Sequence, residues 1–224
     1  MLIIGDIHGT EYWKDILDNT ISENKDGKVV FLGDYVDSFT ISPEDCYKNL
    51  QNIIDFAYLY NPTNTILLLG NHDYHYLYPD SIKGSGYQKE YAEKYFEIYD
   101  KNKHLFRINY QFEKNKINYI CTHAGITTTW LGKQKTNIFN LETLYLNNPD
   151  AYDFKFPKNI TMTYSPSGDD EYQSPLWVRP SSLYQKKIQN YHQIIGHTQY
   201  PEITKLGQNI TVVCTHNENN YILI

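Results

Sequence analysis

The chain has 224 residues, a net charge of −6 and a hydrophobic content of 41%. That length bounds one large domain with a real core, and 1–224 is read as a single domain. The acidic balance excludes tight non-specific binding to a nucleic-acid backbone, which needs dense Lys and Arg. No apolar run approaches the ~18 residues of a membrane-spanning helix. Cys46, Cys121 and Cys214 form no C-x-x-C pair, so a disulfide framework or structural zinc is not expected, and a reducing cytoplasm is the expected location. Because the N-terminus enters a strand directly, no signal peptide or basic targeting arm is expected. The only arginines are Arg107 and Arg179.

In chain order, residues 1–4 read as a strand. A helix follows with Thr10 as its cap and Tyr12, Trp13, Ile16, Leu17 and Ile21 facing inward. Residues 28–32 read as the second strand. Ser42, Pro43, Glu44 and Asp45 then open a helix with a cap, a first-position proline and first-turn acids. It ends at Asn61-Pro62, and residues 65–69 form the third strand. This β-α-β-α-β start predicts a parallel sheet with right-handed crossovers. Residues 74–85 read as irregular and aromatic, and 88–101 as a helix. Residues 106–112 and 117–121 are expected to pair as strands. Short helices are expected near 128–131 and 141–146, a long surface loop over 147–173, a helix over 182–190 and a strand over 191–195. Residues 210–214 and 221–224 are expected to close the chain as a hairpin around 216–219.

Five blocks punctuate this pattern: Gly5-Asp6-Ile7-His8-Gly9, Gly33-Asp34-Tyr35-Val36-Asp37, Gly70-Asn71-His72-Asp73, Thr122-His123-Ala124-Gly125 and Gly196-His197-Thr198. Each closes an apolar run, and open α/β sheets build sites at strand ends. Asp6 and His8 can turn to one side of the sheet. Asp34 offers a carboxylate able to bridge two cations, Asn71 an amide oxygen, and His123 and His197 imidazoles. Mixed Asp/His/Asn ligation suits Mn, Fe, Zn, Ni or Co rather than an all-oxygen calcium or magnesium cage. Two such ions ~3.5–4 Å apart clamp a phosphoryl group and bring the pKa of a bound water to about 7, so that metal-bound hydroxide attacks phosphorus. His72, beside Asn71 but not needed as a ligand, is the general acid for the leaving oxygen. Asp37 orients it and keeps it protonated. Arg179 is the phosphate clamp, because a guanidinium fork matches phosphate geometry. Arg107 is expected on the solvent face.

The ordered set of blocks resembles the calcineurin-like metallophosphoesterases, and within them the phosphoprotein phosphatase branch with its small bacterial and phage members. The resemblance runs from residue 3 to about residue 200. It implies a two-sheet sandwich flanked by helices (α/β/β/α) with a dinuclear site at the sheet edge. Asp6 and His8 would bind one metal, Asp34 would bridge, and Asn71, His123 and His197 would bind the other, manganese being the first choice. It also implies His72 and Asp37 as the acid dyad and Arg179 as a phosphate-binding arginine. Three positions depart from the branch pattern. Ser38 stands where that pattern has Arg, Asp73 where it has Glu, and Thr198 where other branches place a second liganding His. These departures count against a phosphoprotein substrate more than against phosphoester hydrolysis. The expected substrate is a phosphoprotein or a nucleotide such as a dinucleoside polyphosphate or cyclic nucleotide, and the remaining alternative is a non-catalytic binding module on the same fold. Tyr74, Tyr76 and Tyr78 are set down to a chain rich in tyrosine throughout, with stacking on a nucleobase as the alternative. His75, His104, His192 and His216 are read as surface or core histidines, with substrate contact as the alternative for His75.

Overall fold

A computed structural model describes residues 1–20, 22–59, 63–155, 168–215 and 219–224. Two five-stranded sheets face each other. The first has the order β10-β1-β2-β3-β4, built from β1 (Leu2–Ile4), β2 (Val29–Phe31), β3 (Thr65–Leu68), β4 (Phe106–Arg107) and β10 (Tyr221–Leu223). Strands β1 to β4 run parallel, and β10 pairs antiparallel with β1. The second has the order β5-β6-β7-β9-β8, built from β5 (Tyr110–Lys114), β6 (Ile117–Cys121), β7 (His192–Ile195), β8 (Thr204–Lys205) and β9 (Ile210–Val212). Strands β6, β7 and β9 are parallel, with β5 and β8 antiparallel at the edges.

Alternation along the strands divides the core. Ile3, Val30, Ile66 and Leu68 face the second sheet and meet Cys121 and Ile194. Their neighbours Leu2, Ile4, Val29, Phe31 and Leu67 pack outward against helices. Among those helices are α1 (Tyr12–Thr20), α2 (Pro43–Leu59), α3 (Asn71–Leu77) and α4 (Ala92–Asn102), and the chain later forms α5 (Thr128–Gln134), α6 (Leu141–Asn147) and α7 (Pro180–Lys186). Because β1 and β2 are buried along their whole length, they read as continuous apolar runs. Among the described residues, no helix is long and apolar enough to cross a membrane. All three cysteines are buried free thiols.

Several local expectations hold. Ser42 Oγ accepts the Asp45 backbone N–H at 3.2 Å and caps α2. Arg107 is exposed. Other expectations are corrected. Tyr12 is 43% exposed, and Thr10 donates its hydroxyl to the Ile7 carbonyl instead of capping α1. Residues 71–77 form a helix, its last four residues lying in the 74–85 stretch expected to be irregular. Six of its seven residues are buried, so it lacks the polar face that makes a helix legible. Residues 106–112 are not one strand: the chain leaves the first sheet after Arg107 and enters the second at Tyr110. Glu142 of α6 makes that crossing tenable, its Oε1 accepting the backbone N–H groups of Ile108 (2.8 Å) and Asn109 (3.0 Å). Strands β9 and β10 form no hairpin, since they belong to different sheets. Asn220 ties their junction, receiving the Thr215 N–H and donating to the Asp6 carbonyl. The last helix starts at Pro180, two residues earlier than expected. Ile21, Asn61-Pro62, His216 and residues 156–167 of the expected loop lie outside the described residues.

Candidate metal centre and acid network

The residues of all five blocks meet where the parallel strands of both sheets end. Asp6 and His8 follow β1, Asp34 and Asp37 follow β2, and Asn71 opens α3 after β3. His123 follows β6 and His197 follows β7. Backbone conformation is unusual here: His8 (φ 44°), Asp34 (φ 53°), Asp37 (φ 63°) and His197 (φ 63°) are all left-handed. Such strain costs on the order of 1–3 kcal/mol per residue and collects at functional sites.

Asp34 is the centre. Its Oδ2 lies 3.7 Å from His8 Nε2 and 3.3 Å from His123 Nε2, and its Oδ1 accepts the His72 backbone N–H at 2.9 Å. It belongs to two groups of side chains whose spacing could hold a metal ion, Asp6–His8–Asp34 and Asp34–His123–His197. Asn71 joins the second group, its Oδ1 standing 2.9 Å from His123 Nε2 and 2.8 Å from His197 Nδ1. Asp6 accepts the His197 backbone N–H at 3.0 Å and the Cys214 thiol at 3.2 Å.

The donor set fits divalent cations. His8 Nδ1 faces the carbonyls of Val36 and Asp37, each at 3.0 Å, and His123 Nδ1 faces the Leu32 carbonyl at 2.8 Å. Carbonyls only accept, so both Nδ1 atoms carry hydrogen and both Nε2 atoms turn inward, where a cation could take the place of a proton. Burial lowers the pKa of His123, but the carboxylates of Asp34 and Asp6 outweigh it and raise the imidazole to about 9. The protonated ring thus supplies the positive charge that a metal ion would supply. Asp34 is opposed by burial yet held well below the usual carboxylate range by His123 and His72. Burial raises Asp6.

A third group, Asp37–His72–His75, also has metal-binding spacing. Its hydrogen bonds argue for protons instead. The Gly84 N–H points at His75 Nδ1 (3.1 Å), which therefore bears a lone pair and leaves the proton on Nε2. That nitrogen stands 2.8 Å from Asp37 Oδ2, an ion-pair contact outside hydrogen-bond alignment. His72 Nδ1 lies 2.9 Å from the same oxygen. Burial lowers the pKa of His72, but Asp34 and Asp37 outweigh it and the net shift is upward. Burial raises Asp37, and its bonds to His72 and His75 bring the net shift downward.

Arg179 caps α7 and reaches the His197 loop, its Nη1 contacting the His197 carbonyl and Thr198 Oγ1, both at 3.3 Å. Its Nε is buried with no hydrogen-bond partner among the described residues. Ser38 is occupied in a turn, its Oγ accepting the Thr40 and Ile41 N–H groups. Asp73 faces inward and holds the frame: it accepts N–H groups from Asp34 (2.7 Å), Tyr35 (2.9 Å) and Gly70 (2.8 Å) and the Tyr99 hydroxyl (2.5 Å). Burial and the Asp34 charge push it up to about 6.

Tyr74 and Tyr76 are 1% exposed, which excludes both from base stacking. His75 is fully buried and cannot touch substrate. His104 is exposed beside the Tyr58 hydroxyl, and His192 bonds Thr211. The roles of Asp73, His75 and Tyr76 escape the sequence. Only the helical spacing of 72, 75 and 76 signals the last two, and it becomes visible once α3 is known.

Residues 1–219 match the family model of calcineurin-like phosphoesterases. No curated protein matches the chain. The fold is similar to that of a protein serine/threonine phosphatase from Saccharomyces cerevisiae with similarity to human phosphatase PP5 (TM-score 0.55, 14% identity, 94% of this chain and 65% of that one). It is also similar to a cold-active protein tyrosine phosphatase (TM-score 0.56, 17% identity, 95% of this chain and 68% of that one). Both likenesses are of fold alone, and the chain spans about two thirds of each structure.

Proposed function

The chain belongs to the calcineurin-like phosphoesterase family, and from that premise we propose that it is a phosphatase working with two divalent metal ions, manganese in the first instance. The observation that carries this reading is the shared position of Asp34 in two ligand groups. Asp6, His8 and Asp34 would hold one ion; Asp34, Asn71, His123 and His197 would hold the other. Bound there, the ions would supply Lewis acidity toward the phosphoryl oxygens and an acidified water as nucleophile.

The remaining steps fall to the chain's own side chains. Arg179 orients the phosphoryl group, with its position against the His197 loop in support. His72 gives a proton to the leaving oxygen. Its Nδ1–H is held by Asp37, so the proton leaves from Nε2. The ring is the partly exposed member of its network, with 14% side-chain exposure, and stands edge-on to His8 at 5.2 Å between ring centroids. General-acid help of this kind is worth ~10²–10⁴-fold.

A second reading places the substrate among nucleotides rather than phosphoproteins. It is favoured by Ser38, whose hydroxyl serves a turn where the branch pattern has an arginine, and by Phe39 beside it, 82% exposed and free to meet a planar group. The test is a panel: manganese-loaded protein against p-nitrophenyl phosphate, bis-p-nitrophenyl phosphate, a phosphopeptide and nucleotides. Turnover that needs metal supports the proposal, and the preferred ester separates the two substrate classes. Full metal loading with no turnover of any ester would revive the binding-module alternative.

A further inference from the structure

Asp37 is held by far more than its dyad partner. Tyr76 Oη donates to Oδ1 at 2.5 Å, while Oδ2 is shared by His72 Nδ1 at 2.9 Å and His75 Nε2 at 2.8 Å. All three side chains come from α3, at helical spacing i, i+3 and i+4, so one helix face surrounds one carboxylate with two hydrogen bonds and one ion-pair contact. The side chains of Asp37 and His75 are both wholly buried. His75 and Tyr76 are themselves fixed from behind by the loop that follows the helix. The Gly84 N–H fixes the tautomer of His75, and the Gln88 N–H donates to Tyr76 Oη at 2.7 Å. Tyr87 packs against both rings, stacked on Tyr76 and edge-on to His75, with centroids 5.0 Å apart in each case.

A carboxylate with one partner can swing about its terminal torsion. One with a separate donor on each oxygen cannot. The Tyr76 bond on Oδ1 and the His75 imidazole packed 2.8 Å from Oδ2 therefore hold the plane of Asp37 and keep Oδ2 against His72 Nδ1. We propose that His75 and Tyr76 are positioning residues for the general acid, acting on His72 through Asp37, with backbone groups of the 84–88 segment completing the network. The inference rests on the reading of His72 as general acid.

The test compares kcat for phenyl phosphate, a poor leaving group, and p-nitrophenyl phosphate, a good one, on manganese-loaded full-length protein. His72→Asn sets the scale. His75→Leu is expected to slow phenyl phosphate by about 10-fold or more, the range of supporting-residue losses, with much less effect on p-nitrophenyl phosphate. His75→Gln, which restores an N–H near the Nε2 position, is expected to recover a large part. The double variant His72→Asn/His75→Leu should be no slower than His72→Asn. Tyr76→Phe removes a single oxygen and carries the same leaving-group comparison if His75→Leu does not fold, with manganese content as the control for an intact site. Equal slowing of both esters by His75→Leu or Tyr76→Phe, beside a leaving-group-selective His72→Asn, overturns the positioning role and leaves the general acid standing. Equal slowing of both esters by His72→Asn removes the general acid and this inference together.

Discussion

Gly70→Ala adds one methyl group at the hinge of the site. The backbone at Gly70 has φ −99° and ψ 176°, an extended conformation that alanine adopts freely. Conformation therefore does not require glycine here; space does. A Cβ on Gly70 would stand 2.1 Å from Asp34 Oδ1, 2.4 Å from the Asp34 backbone nitrogen and 2.9 Å from its Cγ, where ordinary contact begins at 3.4 Å. The carboxylate must retreat by more than an ångström, and the backbone nitrogen cannot move without breaking its bond to Asp73. Overpacking of this kind costs ~1–3 kcal/mol, and a domain of this size loses about 2–4 °C of melting temperature for each. Function should suffer more, since a misplacement of ~1 Å costs on the order of 10²-fold in rate. The assay is p-nitrophenyl phosphate turnover beside metal content by mass spectrometry and thermal unfolding. A folded Gly70→Ala protein with wild-type metal content and wild-type turnover refutes the claim that Asp34 holds the site at this spot.

Asp34→Asn replaces a bridging anion with a neutral amide, so metal content and turnover are expected to fall together; retention of full metal contradicts the bridging role. Arg179→Ala should lower kcat/KM on the order of 10²-fold, as for loss of a preorganised transition-state donor, and Arg179→Lys should recover little, lacking the planar fork. An Arg179→Ala enzyme with unchanged kcat/KM removes it from the site. His123 is protonated at neutral pH without metal because its pKa stands at about 9. In the metal-free protein its ion pair with Asp34 stabilises the fold fully below pH ~6.5 and is lost as pH rises through about 9. Manganese binding must expel that proton. A titration of chelator-stripped protein in weak buffer near neutral pH should release it, and binding with no proton release would contradict the assignment.

The blocks were legible because each strand end needs no context beyond its own apolar run. What the sequence concealed follows from burial on all sides or from partners far along the chain. Helix α3 presents no polar stripe, so His75 and Tyr76 read as an aromatic tangle and their common target, Asp37, stays hidden. Asp73 reads as a departure from a motif, yet its carboxylate gathers four donors from three segments, a role set by tertiary distance alone. The change of sheet at Ile108–Asn109 depends on Glu142, more than thirty residues later. The false hairpin has the same origin, since β9 and β10 look alike in sequence and the partners that separate them, Thr215 and Asp6 on Asn220 among them, are set by the tertiary fold. Cys214 has no partner visible in sequence, because its contact with Asp6 spans nearly the whole chain.

The central claim is two ions sharing Asp34. A crystal structure of manganese-loaded protein, with anomalous scattering recorded for the metal, tests it directly. Two anomalous peaks ~3.5–4 Å apart, with Asp34 between them and His8 and His123 on opposite sides, are the predicted result. A single peak, or a peak seated on Asp37, His72 and His75, would contradict it.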